Sequence, residues 1–167
     1  MKSDGSEQRR LTNNGDLNEG SLSWSPKGDM IAASIGDPEI SRHSIEIYLM
    51  GLDGKIQKQL TEIGVNLGPV WSPDGESIVF YSSRSDCSGI IIIRADGSDQ
   101  ICLIIDLLSQ QAQNIDPSWS QDGEHIIFSS DLDGDFDLYV VKLDGSDLMQ
   151  LTDEPGDETS PVWSLMP

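Results

Sequence analysis

The sequence of 167 residues predicts an all-β protein built from repeated units of four antiparallel strands. Trp24, Trp71, Trp119 and Trp163 recur at intervals of 47, 48 and 44 residues. A glycine-containing turn ("SPKG", "SPDG" or "SQDG") follows each of the first three, and short apolar runs rich in β-branched residues fill the space between turns. Four strands in a repeat of about 45 residues are typical of the blades of a β-propeller.

Each element of the unit has its own signal. The tryptophan marks the first strand, and the second strand follows the turn as "DMIAAS", "ESIVFYS" or "EHIIFSS". The third strand reads "SIEIYLMGL", "SGIIIIRA" or "FDLYVVKL" and ends in Asp-Gly, and the fourth is the shorter "IQKQLT", "DQICLI" or "LMQLT". The best helical candidate, "DLLSQQAQN" at 106–114, is interpreted as an insertion between repeats.

A single blade would expose an apolar face on each side. We therefore expect neighbouring blades to stack on one another, because stacking buries these faces. We expect each tryptophan to pack between adjacent blades, as part of the core rather than as a ligand platform.

The phase of the repeat predicts three complete blades, at 20–61, 62–104 and 105–152, with one flanking strand at each end. Residues 1–19 would hold the outermost strand of a preceding blade and a linker, and residues 153–167 the innermost strand of a further blade. The chain would then be a partial propeller, and "SPVWSLMP" looks like a natural C-terminus of a larger one. The alternatives are an open arc, or several copies that bury each other's exposed end faces.

These motifs resemble the TolB-type, WD40-like β-propeller repeat. The run "WSPDG" at 71–75 matches its central motif without a gap, and "DLYVV" at 137–141 and "LT" at 151–152 match its later part. The chain departs from the pattern at Lys27 and Gln121, and at "LI" in place of "LT" at 103–104. The resemblance implies a six-bladed parent fold, protein or peptide partners, and a periplasmic or extracellular location.

The charge balance excludes whole classes of partner. Ten Lys and Arg face 29 Asp and Glu, a net charge of −19, which argues against binding to nucleic acid or to an anionic membrane. No apolar run approaches the length of a membrane helix, and the start "MKSDGSEQRRLT" has no apolar core of a signal peptide.

No catalytic constellation is evident. The G-x-S-x-G motif of α/β-hydrolases and the phosphate-binding P-loop are absent, and we expect the many serines to hydrogen-bond within turns. The two histidines, His43 in a loop and His125 at the start of a strand, have no partners that repeat with them, so catalysis by either is not predicted.

The acidic run "SDLDGDFD" is the sharpest local signal. Asp131, Asp133, Asp135 and Asp137 alternate, and carboxylates in a tight loop are the ligands that Ca²⁺ prefers. Phe136 stands where an EF-hand would need glycine, so this is no EF-hand. The competing interpretation is a polar hairpin turn that binds no metal, and it is the one we favour, with no cofactor expected.

Cys87 and Cys102 have no CxxC spacing. They could pair, but we expect two unpaired thiols in the core or on the surface.

The leading functional hypothesis is a non-catalytic scaffold that binds a protein or peptide through its blade loops. The alternatives are the propeller portion of a prolyl-oligopeptidase-type hydrolase, which could not act alone, and a propeller module that binds Ca²⁺ or glycans.

Overall fold

A computed structural model describes residues 4–13, 18–36, 44–105 and 114–163 of the chain. Twelve strands form three sheets of four, and every strand pairs antiparallel with its sequence neighbour within a sheet. No helix occurs in the described residues, and so none of them belongs to a helix that could cross a bilayer. The all-β prediction of three complete four-stranded blades is therefore confirmed.

The first sheet, blade 1, contains β1 (Asn18–Trp24), β2 (Met30–Gly36), β3 (Ile45–Gly51) and β4 (Ile56–Gln59). Blade 2 contains β5 (Asn66–Trp71), β6 (Ser77–Ser83), β7 (Ser88–Arg94) and β8 (Ile101–Ile105). Blade 3 contains β9 (Asn114–Trp119), β10 (His125–Ser130), β11 (Asp137–Lys142) and β12 (Met149–Gln150). Asn114 thus begins a strand, and the rest of the expected insertion at 106–114 lies outside the described residues.

The core lies between the blades. The alternation of side chains along a strand gives each middle strand two apolar faces, and each face packs on a different neighbour. Between blades 1 and 2, Ile47 and Leu49 of β3 pack with Trp71, Phe80 and other side chains of blade 2. Stacking therefore buries what a single blade would expose.

The interface between blades 2 and 3 repeats this arrangement. Val79 and Ile92 of blade 2 pack with Trp119, Phe128 and Tyr139 of blade 3, and the last two rings stack with centroids 5.9 Å apart. Trp119 and Phe128 hold the positions that Trp71 and Phe80 hold in the first interface, so equivalent residues of the repeat fill both.

The four tryptophans differ in how far their side chains are exposed. Trp71 and Trp119 are 8% and 7% exposed, whereas Trp24 is 53% exposed and Trp163 is 41% exposed. The expectation of packing between blades is thus confirmed for Trp71 and Trp119. No complete blade precedes Trp24 in the part of the chain that the structure describes, and its side chain is exposed there.

The two flanking strands expected at the ends of the chain are not formed in residues 4–13 and 153–163. A strand needs a hydrogen-bonded neighbour, and the middle strands of the flanking blades have no counterpart in this sequence.

The flanking segments nevertheless keep the positions of the repeat. Leu11 packs on the apolar outer face of blade 1, and its carbonyl oxygen occupies the space that a Cβ at Gly54 would need. At the other end, Ser160 has φ 58°, which matches the φ of 53° at Asp116, three residues before the tryptophan in each case. In blade 3, Asp116 lies at the bulge where β9 shifts its register against β10, and Ser160 has the same backbone conformation at the equivalent position.

Candidate functional site

The turn between the first and second strands carries a fixed hydrogen-bond pattern. The Ser72 hydroxyl donates to Asp74 Oδ1 at 2.6 Å, the Glu76 N–H donates to the same oxygen at 2.9 Å, and the Ser77 N–H donates to Ser72 Oγ at 2.9 Å. These bonds, the serine hydroxyl first, hold the pKa of Asp74 below its usual value near 3.8. The serine is thus committed to the turn, as the sequence predicts.

Blade 3 repeats this turn, and blade 1 alters it. The Ser120 hydroxyl donates to Asp122 Oδ1 at 2.5 Å, and this bond is the main reason that the pKa of Asp122 is lowered. In blade 1, where Lys27 replaces the aspartate, the Ser25 hydroxyl donates instead to Asp29 at 2.8 Å. The departure at Lys27 therefore changes the partner of the serine and keeps its role.

The turns between the third and fourth strands are also acidic. The Ser98 hydroxyl donates to Asp96 Oδ1 at 2.6 Å, and the Ser146 hydroxyl donates to Asp144 Oδ1 at 2.6 Å. Each bond lowers the pKa of its aspartate. Because strand direction alternates, both kinds of turn lie at one end of every blade, which we call the turn end.

A groove opens at the turn end between blades 2 and 3. Its largest part has a volume of about 540 Å³ and is lined by Ser77, Ile92, Arg94, Asp99, Gln100, Ile101, Trp119 and Leu143. A second part of about 380 Å³ shares Ser77, Trp119 and Leu143 with it and extends to Asp74 and Asp122. A third part of about 340 Å³ is lined by blade 3 alone, including Glu124 and Lys142, and shares Leu143 with the other two.

The groove has an apolar floor and a charged rim. Trp119 lies at the base, fixed by a 3.0 Å hydrogen bond from its indole N–H to the Val70 carbonyl, while Ile101 on the wall is 51% exposed. The two cations of the rim are already paired, Arg94 with Glu76 at 3.0 Å and Lys142 with Asp147 at 2.6 Å. Sequence reasoning missed this groove because its residues come from two repeats.

The acidic hairpin lies at the opposite end of blade 3, which we call the loop end. Residues 131–136 form the turn between β10 and β11. Carboxylate oxygens of Asp133, Asp137 and Asp153 lie within 4.8 Å of one another, so the structure joins two of the four predicted aspartates with one that was not predicted. Asp131 and Asp135 are not in that group, although Asp135 accepts a 3.0 Å hydrogen bond from the Gly156 N–H.

Protein donors already reach these carboxylates. Asp137 is buried and accepts from the Thr152 hydroxyl at 2.9 Å, and the Gln150 amide donates to Asp133 at 2.7 Å and to Asp137 at 3.2 Å. Burial, followed by the charge and hydrogen bond of Asp133, raises the pKa of Tyr139 to about 12. The Ca²⁺ site stays a prediction, for which a calorimetric Ca²⁺ titration is the test.

Blade 1 has a related buried network. Glu46 accepts from the Thr61 hydroxyl at 2.6 Å and from the Asn66 amide at 2.9 Å, and Thr61 Oγ1 accepts from the Ile47 N–H. Glu46 and Asp137 therefore occupy the same place in two repeats, each beside the threonine of "LT". Asn66 belongs to blade 2, so this network ties two blades together. The recurring "LT" was the available signal for it.

Of the two histidines, His125 lies among the described residues. His125 lies at the start of β10, and its ring nitrogen lies within 4.8 Å of carboxylate oxygens of Asp122 and Glu124, a group that could hold a metal ion at the turn end. Its backbone N–H donates to Ser120 Oγ at 2.9 Å, so that hydroxyl also serves the turn. His43 lies outside the described residues.

The expectation of unpaired cysteines was wrong. Cys87 and Cys102 form a disulfide with their Cα atoms 6.1 Å apart, within the usual range for such bonds. Cys87 precedes β7 and Cys102 lies on β8, and adjacent strands bring the two thiols together although their spacing carries no motif.

Comparison with known proteins gives the fold its context. No protein-family profile matches the sequence. An uncharacterised protein of Agrobacterium fabrum is 38% identical over 76 residues, which are 45% of this chain and 25% of that protein. Among solved structures, a putative TolB from Agrobacterium tumefaciens matches with a TM-score of 0.67 and 27% identity, over 84% of this chain and 50% of its own.

Two further structures match the fold alone. TolB from Acinetobacter baumannii has a TM-score of 0.68 at 22% identity over 89% of this chain, and an oligogalacturonate lyase in complex with manganese has 0.64 at 16% over 86%. The chain spans 36%, 44% and 50% of the three solved chains, and so at most half of any of them. The three sheets, their stacking and these matches agree, and the chain is therefore built from β-propeller blades that resemble those of the TolB structures.

Proposed function

We propose that this chain is a non-catalytic propeller scaffold that binds a protein or peptide through its blade turns and loops. The observation that carries the proposal is the groove at the turn end between blades 2 and 3. It combines an apolar floor at Trp119 with polar groups on its rim, which is the usual make-up of a recognition site.

The chemistry of the turns supports a binding role over a catalytic one. The hydroxyls of Ser72 and Ser120 each donate their hydrogen bond to an aspartate of their own turn. They therefore stabilise the turn and are not paired with a separate general base that would activate a nucleophile. An activity-based fluorophosphonate probe tests this directly: we expect no labelling. Labelling of any serine would overturn the non-catalytic assignment and favour the hydrolase alternative.

Selection from a random peptide library on the immobilised chain tests the binding role. We expect peptides whose binding is lost in Ile101→Glu, which places a charge in the groove, and kept in Ile56→Glu. Ile56 is a matched control because it is the same residue type, is 41% exposed and lies on β4, outside the groove. Peptides that bind both variants equally would refute the groove as the site.

We also propose that the exposed end faces of the three-blade unit are covered by further blades, from a larger propeller or from another copy. Trp24 supports this, because the equivalent Trp71 and Trp119, each on a formed strand that follows a complete blade, are buried. Light scattering of the purified 167-residue chain is the test. A clean monomer would refute self-association.

A periplasmic or extracellular location is the final part of the proposal. The Cys87–Cys102 disulfide supports it, because such bonds persist in oxidising compartments. Alkylation of the thiols before cell lysis tests it, and full labelling of both cysteines would contradict it.

A further inference from the structure

We propose that the groove between blades 2 and 3 binds an extended peptide segment whose side chains alternate between cationic and apolar. This inference rests on the proposed function and names the chemical class of the partner.

The charge around the groove is strongly one-sided. The side chains that line its three parts include five carboxylates and two cations, Arg94 and Lys142; the carboxylates are those of Asp74, Asp99, Asp122, Glu124 and Asp144. Both cations already have carboxylate partners, Glu76 and Asp147. The remaining carboxylates are in excess, so a cationic ligand is favoured and an anionic one is repelled.

The turn aspartates keep this charge. Asp74, Asp122 and Asp144 are each stabilised by a serine hydroxyl and a backbone N–H, which are neutral donors. Neutral donors favour the ionised carboxylate and add no opposite charge. The negative rim is therefore a fixed property of the turns around neutral pH.

The floor of the groove supplies the apolar half of the recognition. Ile101 leaves half of its surface in water, and Leu143 lines all three parts of the groove, with Trp119 beneath two of them. Apolar side chains of a ligand that cover Ile101 and Leu143 would remove this surface from water. The first part shares Ser77, Trp119 and Leu143 with the second, and the second shares Gly123 and Leu143 with the third, so a peptide of several residues can contact more than one part.

Three labelled pentapeptides test the chemistry on the full chain by fluorescence anisotropy at low salt: Lys-Leu-Lys-Leu-Lys, Lys-Ser-Lys-Ser-Lys and Glu-Leu-Glu-Leu-Glu. The first combines charge and apolar contact, and each of the others lacks one of them. We expect the first to bind at least about tenfold more tightly than either of the others. Equal binding of all three, or no binding of the first, would overturn the inference.

A pair of matched variants separates the groove from the overall acidity of the chain. Asp99→Asn with Glu124→Gln removes two charges at the groove, and asparagine suits the left-handed backbone at position 99, where φ is 49°. Glu62→Gln with Glu154→Gln removes two exposed charges that follow β4 and β12, at the loop end. We expect the groove variant to weaken binding of Lys-Leu-Lys-Leu-Lys by about three- to tenfold, and the control by less than about twofold.

Equal losses in the two variants would mean attraction to bulk charge, and would overturn the inference. Selection of groove-dependent peptides without cationic residues from the random library would also overturn it while leaving the proposed function intact. Peptides of any kind that bind outside the groove would refute the groove as the binding site and would overturn this inference with it.

Discussion

Truncation of Trp71 to alanine is expected to destabilise the chain far more than truncation of Trp24, although the two residues hold the same place in successive repeats. Trp71 is 8% exposed between blades 1 and 2, and Trp24 is 53% exposed on the outer face of blade 1. Both tryptophans end the first strand of a blade and are followed by Ser-Pro and a glycine-containing turn, so the main difference between them is the presence of a preceding blade.

The difference in burial sets the magnitude. A tryptophan side chain can bury about 250 Å², so a difference of 45 percentage points in exposure corresponds to about 110 Å². At about 25 cal/mol per Å² this is about 3 kcal/mol in the free energy of unfolding. Replacement by alanine in both cases cancels the contribution of the new residue.

Urea unfolding followed by circular dichroism measures both variants. We expect Trp71→Ala to lose about 3 kcal/mol more than Trp24→Ala, or to be unfolded without urea while Trp24→Ala stays folded. Equal losses would refute the assignment of the outer face of blade 1 as a face without a partner blade. In that case Trp24 would be covered in solution, and light scattering would identify a second copy as the cover.

Three further predictions concern single features. Cys102→Ser removes the disulfide with Cys87, which closes a loop of 15 residues, and should cost about 3 kcal/mol, measured as a lower midpoint in urea; an unchanged midpoint would mean that the bond adds nothing. Asn66→Ala removes the amide that donates to Glu46 and should cost about 2–4 kcal/mol by the same assay, whereas a loss under 1 kcal/mol would show that the network is dispensable. The lowered pKa of Asp74 means that its stabilisation is present above its unfolded value near 3.8 and is lost as the pH falls through the lower native value. Melting temperatures between pH 5 and pH 2 should therefore fall less in Asp74→Asn than in the wild type, and parallel curves would contradict this.

Most of the fold could be predicted from the sequence because its signals are local. The strand runs, the Asp-Gly turns and the period of the tryptophans each depend on a few neighbouring residues, and three copies reinforce one another. The bulge at Asp116 could not be predicted, because nothing in the residue types there demands a left-handed backbone.

The candidate site was far less predictable. Its walls come from two blades, so Ile101 and Trp119 become neighbours only when the blades stack. The acidic hairpin shows the same limit: the alternation of Asp133 and Asp137 was visible, but Asp153 joins them from the segment after β12.

The sequence by itself determined the structural repeat of this protein, which has four strands, two acidic turns and a tryptophan and occurs three times. Tertiary structure decided which of these equivalent residues are buried, which thiols pair and where a groove opens. The physical reason is that backbone preference and turn hydrogen bonding depend on a few neighbouring residues. Burial depends instead on whether another blade packs against the face that carries the residue. Trp24 and Trp71 hold the same position in the repeat and are both followed by Ser-Pro, but only Trp71 lies on a strand that packs against a preceding blade and so belongs to the core.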